Sequence, residues 1–412
     1  MSIILIYGGA IDGSMKSNIS GIDPSIGSLY DRLQVAQFDN IFNVLPAYGV
    51  SALRDVVTTS GNGSVNNTNG NGYILTTTAS ANDSAILDTA ERGRFNSGTA
   101  FETGVAIQIP SPPTGNQRIT WGIFDNDNGL YFGKDSGGIF IATRRNGNEN
   151  VKVYQSQWNI DKLDGTGPSK LTLEPSRGYL YQIRFGSNYG IVEYRILMVD
   201  PTNNLEKPIT CHRQSTISQP IVGDPNQPVC VQIQNGATAQ SLTANVRGRY
   251  YANLGTAKPL NRMTSERRLN ASTNNTTFVP LVSFQKKTTF PSGATKSNSI
   301  NVTVNGFDLI TSVDVVWQLR QGSTLTGANW VNPSDTLSNE TCCFADTSAT
   351  AINVSTGVKI MSGLAASGNR ATLTSFPVDI VMTGSTPVTL CVRNITSNTG
   401  TVSAVLRVQE EW

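Results

Sequence analysis

Asp125-Asn126-Asp127-Asn128-Gly129 is a stretch of this sequence where side chains could do chemistry, because alternating oxygen ligands in a tight loop suit a hard cation such as calcium. An EF-hand loop, however, carries its glycine at the sixth position and a glutamate at the twelfth. Here Gly129 comes one residue early and Ser136 stands at the twelfth position. A plain hairpin turn is therefore the better reading. His212 is the single histidine and follows Cys211. The pair could be base and nucleophile or two metal ligands, but no further ligands follow at a zinc-site spacing. A surface or capping histidine is expected.

Glycoside hydrolysis needs two carboxylates across the scissile bond. The Glu-x-Asp-x-x-Glu strand pattern of one group of β-sandwich hydrolases does not occur, and Glu193 stands alone on its strand. A β-sandwich glycoside hydrolase thus remains a second alternative, and no catalytic residue, metal site or cofactor is assigned. Trp121, Tyr131, Trp158, Tyr189 and Trp330 could stack on sugar rings, although core packing is the plainer role for each. Trp158 and Tyr189 lie beside turn residues and are the candidates for glycan binding. Arg247, Arg249, Arg262, Arg267 and Arg268, with Lys258, face one acid, Glu266. Those five arginines are candidates for an interface with an acidic neighbour. The aromatic interleaving of RNA modules is missing, which argues against nucleic acid.

These residues sit on short strands. Ile119 to Phe124 and Leu130 to Phe132 flank the acidic turn as a hairpin. Ile139 to Thr143 and Val151 to Tyr154 flank Asn146-Gly147, a strong short hairpin signal. Trp158 to Ser169, with two glycines and a proline, reads as an ordered loop. Tyr179, Tyr181, Ile183 and Phe185 share one face of a strand, with Leu180, Gln182 and Arg184 on the other. A helix is expected from Ser28 to Leu45, stopped by Pro46, and a flexible loop over Ser60 to Gly72.

The 412 residues, 38% hydrophobic and 15% charged, are rich in the residues of turns and suit an all-β fold of two antiparallel β-sandwich domains. The domains expected are an N-terminal arm and docking helix (1–60), a jelly-roll or concanavalin-like sandwich (61–255), a basic linker (256–278) and a C-terminal sandwich (279–412). A net charge of +2 argues against a coat for nucleic acid or anionic membrane, and no run approaches the roughly 20 apolar residues of a membrane span. The N-terminal apolar run lacks a basic leader and is too short for a signal peptide. The five cysteines read as buried free thiols.

Asp127-Asn128-Gly129-Leu130-Tyr131-Phe132, Trp158-Asn159 and Asp161 to Ser169 together resemble a signature of uncharacterised virion structural proteins of tailed phages and large DNA viruses. Val279 to Ser283, Leu325 to Ala328 with Trp330, and Asp346 to Ile352 resemble the same group less specifically. The resemblance implies a place in a virus particle, as a minor capsid or decoration protein or a neck or tail appendage. It carries over no catalytic residue. The expectation is a non-enzymatic virion protein, assembled in the host cell, homo-oligomeric, with other virion proteins as partners and no membrane contact. A carbohydrate-binding adhesin or receptor-binding fibre, recognising a host-surface glycan, is the alternative.

Overall fold

The computed structural model describes residues 38–412 apart from 68–71, 97–98, 202–203, 216–217, 256–259, 295, 369, 374–379 and 397–398. Period-two patterning punctuated by Gly and Asn yields strands throughout. In the first lobe these are β1 (Phe38–Val44), β2 (Asp55–Ser60), β3 (Ser64–Asn67), β4 (Tyr73–Thr77), β5 (Ser84–Arg92), β6 (Ala100–Gln108), β7 (Arg118–Phe124), β8 (Gly129–Asp135), β9 (Gly138–Arg145), β10 (Asn148–Tyr154), β11 (Tyr179–Phe185), β12 (Ile191–Asp200), β13 (Leu205–Ser215), β14 (Pro228–Gln234) and β15 (Leu242–Leu254). The second lobe has β16 (Asn261–Thr273), β17 (Val279–Lys286), β18 (Asn301–Thr311), β19 (Val315–Gln321), β20 (Thr324–Thr326), β21 (Cys343–Asp346), β22 (Ala351–Asn353), β23 (Val358–Ala365), β24 (Arg370–Leu373), β25 (Ile380–Val381), β26 (Val388–Asn394) and β27 (Gly400–Glu411).

The chain is all-β, and each lobe is an antiparallel sandwich, the first of jelly-roll, concanavalin-like type. Its eight-stranded sheet runs β13-β12-β11-β6-β15-β4-β3, with β1 also on β15, and faces a seven-stranded sheet β10-β9-β8-β7-β14-β5-β2. The second sandwich sets β16-β27-β18-β24, with β25 on β18, against β21-β17-β26-β19-β23. Both expected hairpins form. Asp125 Oδ1 accepts hydrogen bonds from the Asp127 and Asn128 amides at 2.9 Å, closing the β7–β8 turn. Asn146 and Gly147 take φ of 51° and 79°, the left-handed pair that a two-residue hairpin turn requires. The loop from Trp158 to Ser169 is fixed by Asp161, whose carboxylate accepts from the Leu163 and Ser169 amides.

Alternate residues of the facing sheets fill the first core, Tyr181, Ile183 and Phe185 among them, opposite Trp121 and Phe132. Phe124, Tyr131, Phe140 and Cys230 form a separate cluster on the other side of the seven-stranded sheet. Their rings are roofed by cations: Lys152 Nζ lies 4.3 Å from the Phe140 centroid and the Arg118 guanidinium 4.8 Å from it. Such contacts let long charged side chains cover apolar surface. All five cysteines are buried and free, as expected.

Four expectations need correction. The arm at 1–27, and the helix from Ser28 as far as residue 37, lie outside the described residues; from Phe38 the chain is a strand, because Phe42 and Val44 alternate inward on the open edge of β15. The flexible loop over Ser60–Gly72 contains β3, paired with β4. The first sandwich therefore begins before residue 61, since β1 and β2 belong to its sheets. The basic linker at 256–278 holds β16, which pairs with β27 along nearly its whole length, so the second sandwich starts before residue 279.

The lobes meet at a polar seam. The Arg92 amide donates to Asn301 Oδ1 at 3.0 Å while Asn301 Nδ2 donates to the Arg92 carbonyl at 3.0 Å. Arg94 pairs with Glu91 in its own lobe and with Glu411 across the seam.

Candidate functional site

The eight-stranded sheet turns one face to the core and one outward. On the outward face, pairing aligns Gly248, Ala106, Leu180, Leu197 and Pro208 in one row across five strands. Small and aliphatic residues there leave a floor without projecting charge. The segment from Lys170 to Gly178 borders it, and together they enclose a groove of about 700 Å3 whose rim carries Lys170, Arg177, Arg247 and Glu206. Arg177 is also paired with Glu174. The arrangement can lay an apolar ring face or aliphatic chain on the floor and offer cationic donors at the edge.

The adjoining rows are polar and internally satisfied. Tyr250 lies over Gly104, where a Cβ would stand 2.1 Å from the ring, so only glycine admits it. Tyr250 donates to Glu102 Oε1 at 2.7 Å, and Arg184 Nε donates to Glu102 Oε2 at 2.6 Å. Burial and the Glu102 carboxylate push the Tyr250 phenol well up. Both oxygens of Glu102 are thus committed to neighbours on the sheet. Glu193 is paired with Arg213 Nε at 2.7 Å.

The structure disperses the residues singled out in the sequence. Trp158 is only 3% exposed and packs edge-on against Phe132, so it serves the core and offers no face to a glycan. Tyr189 is 58% exposed, in the turn after β11, at the opposite end of that strand from the groove. Trp121 and Tyr131 are fully buried, and Trp330 is in the other lobe. Among the five arginines, Arg247 lines the groove, whereas Arg249 is buried in an ion pair with Asp55 and cannot meet a partner. Arg262, Arg267 and Arg268 lie on β16; Arg268 spends two donors on the Pro280 and Ala349 carbonyls. His212 is buried and its Nδ1 accepts from the Asn159 amide at 3.3 Å, a capping role inside the fold. Burial lowers its pKa. Cys211 donates to the Tyr194 carbonyl instead, and burial pushes its thiol well up, so the two adjacent side chains do not cooperate. The groove escaped sequence reasoning because its floor is set by register across five strands; the one local signal was Leu180, an aliphatic residue on the polar face.

Among the described residues, Cys342, Cys343 and Glu410 bring ligand atoms within 4.8 Å of one another. The Glu410 carboxylate is already taken by the Thr264 and Thr341 hydroxyls and the Cys342 amide, and burial raises the Cys342 thiol well above its ordinary value. The cluster is a buried carboxylate with its hydrogen bonds met, beside two buried cysteines. No helix of the described residues is long and apolar enough to cross a membrane.

No protein-family model matches this chain, and no curated protein matches it. Among solved structures, it is similar to arcelin-5, a lectin-like defense protein from Phaseolus vulgaris, at 11% identity over 52% of this chain and 96% of that one, with a TM-score of 0.34. A Shewanella oneidensis protein of unknown function is 15% identical over 61% of this chain and all (100%) of that one, TM-score 0.33. Lectin II from Ulex europaeus is 10% identical over 52% and 99% of the two chains, TM-score 0.33. At these values the fold assignment rests on the chain's own sheet order.

Proposed function

We propose that this chain is a structural component of a virus particle that works by binding its neighbours and makes or breaks no bond. The observation that carries the non-catalytic reading is the state of the acids in the middle of the exposed sheet face: Glu102 and Glu193 are locked to Arg184 and Arg213, so that Glu206 at the groove has no free carboxylate beside it from that face. Two sandwiches tied at a hydrogen-bonded seam supply a stiff body for such a role. The virion assignment itself rests on the resemblance carried by residues 127–169. Mass spectrometry of purified particles from the source should find the full chain at a stoichiometric copy number. A variant lacking residues 1–37 should fold as the full chain does and fail to enter particles. Absence of the full chain from the particles would sink the proposal.

The groove favours a second reading, recognition of a host-surface glycan by the first sandwich. Its apolar floor and cationic rim fit an acidic sugar. A glycan array probed with the full chain should show binding that Leu180→Glu removes, and silence across all sugars would eliminate this reading.

A further inference from the structure

A second cavity, of about 250 Å3, lies at the seam between the lobes. Asp88, Thr89 and Arg92 near the end of β5 wall it on one side; Lys286, Lys287 and Asn298 of the second lobe wall it on the other. It has room for several waters, each taking roughly 30 Å3.

Most of its polar groups are committed. Arg92 donates to Asp125, Gln227 and the Asn226 carbonyl. Lys287 Nζ donates to the Ser338 and Thr341 carbonyls, Asn298 to the Lys287 and Cys342 carbonyls, and Thr89 to the Glu91 carbonyl. Two groups are left over. Lys286 is 7% exposed and its ammonium makes no hydrogen bond or ion pair among the described residues, and the Asp88 carboxylate pairs with no cation among them, its Oδ1 lying buried without a hydrogen-bond partner. A buried ammonium and a buried carboxylate oxygen that are not paired with each other each lack a counterpart. One ligand can satisfy both if it is an anion that also carries a proton to donate.

We propose that this cavity binds a small protonated oxyanion, inorganic phosphate being the simplest, with Lys286 Nζ donating to a bare oxygen and the Asp88 carboxylate accepting from the P–OH. The site is independent of the groove and of the virion reading. Burial pushes the Asp88 carboxyl up to about 6, against Cys230, Arg249 and Arg92, which lower it, with Asp125 adding to the rise. Burial pushes the Lys286 ammonium down to about 8, with Arg92 lowering it further and Cys342 and Cys343 opposing. At pH 7.5 Asp88 is therefore an acceptor, which selects hydrogen phosphate over sulfate, an anion with no proton to give. At pH 5 Asp88 is protonated and the selection fades.

The test is calorimetric titration of the full-length chain with sodium phosphate, sulfate and chloride at matched ionic strength. Phosphate should bind at pH 7.5, with sulfate weaker by roughly tenfold or more, the scale of one charge-assisted hydrogen bond. The ratio should fall towards unity at pH 5. Lys286→Met should weaken phosphate by a similar factor, and Asp88→Asn should bring sulfate level with phosphate. Phosphate binding no tighter than chloride, or a phosphate-to-sulfate ratio that ignores pH, overturns the proposal on the wild-type chain alone, whatever the variants do. Unchanged phosphate affinity in a folded Lys286→Met variant also overturns it.

Discussion

Burying an arginine is costly unless its charge and its donors are met inside the protein. Arg249 meets most of that condition: its guanidinium pairs with Asp55, also donates towards the Leu87 and Val229 carbonyls, and lies 5.2 Å from the Tyr73 ring centroid, leaving only its Nε without a partner. Asp55 in turn accepts from the Ser51 amide and the Tyr73 hydroxyl. The expectation is that Arg249→Met strands Asp55 and costs about 3–5 kcal/mol in urea unfolding, while Arg249→Met with Asp55→Asn loses much less. Equal losses would mean that the pair is not a coupled unit. The inward position of Arg249 was illegible in the sequence for a specific reason. Arg247 and Arg249 are two apart and would share a face on a regular strand. The pairing of β15 with β6 shifts register between Val246 and Gly248, so the phase changes there and Arg249 follows Val246 into the core. One inserted residue swaps faces, and the one local hint is Gly248, since a glycine inside a strand pattern can mark a bulge without fixing which residue is inserted. Tyr181, Ile183 and Phe185 were legible because no bulge intervenes along β11.

At the scale of elements, β1 shows how a short apolar run is decided by what it finds to pair with. Leu29, Leu33, Ala36, Ile41 and Val44 fit a helical face loosely, and Phe42 and Val44 fit a strand equally well. β15 is thirteen residues long, and β4 pairs only from Leu242 to Val246, leaving the edge from Arg249 to Leu254 open beyond it. β1 closes that edge, and Phe42 stacks on Tyr251 with centroids 5.8 Å apart. An open edge in a sheet outweighs weak helix propensity. Truncation therefore has a sharp boundary. Removing residues 1–37 leaves β1 and its pairing with β15 in the chain. Removing 1–46 strips the strand and uncovers Phe42 and Val44 positions worth roughly 3–5 kcal/mol of burial, and should lower the midpoint and expose an aggregation-prone edge. Identical unfolding of the two truncations would show that β1 adds nothing. The hairpins at Asp125–Gly129 and Asn146-Gly147 needed no such partner, since their turn chemistry is local.

For the whole molecule the question is whether two sandwiches act as one body. Each has its own core, but the first buries more aromatic surface, with Trp121, Tyr73, Tyr194, Tyr251, Phe101 and Phe132 among its fully enclosed side chains against Phe284 and Phe307 in the second. The second sandwich should be the weaker alone. The strongest contacts that hold it to the first are the reciprocal Arg92–Asn301 pair and the Arg94–Glu411 ion pair, the latter largely shielded from solvent, with the longer Lys296–Asp224 and Ser297–Asp127 contacts at 3.9 and 3.5 Å beside them. Neutral hydrogen bonds contribute about 1 kcal/mol each and those to charged groups about 1.5–3. The seam thus couples the lobes by an amount comparable with the lower end of a domain's own stability, about 5 kcal/mol. Coupling of that size makes the weaker lobe melt with the stronger. The wild-type chain should show one calorimetric transition. Asn301→Ala with Arg94→Ala touches neither core and should split it, the earlier peak belonging to the second sandwich and followed by the fluorescence of Trp317 and Trp412. A single unshifted transition in the double variant would mean that the lobes are held together by something other than this seam, and the stiff two-lobed body on which the proposed binding role depends would need another cause.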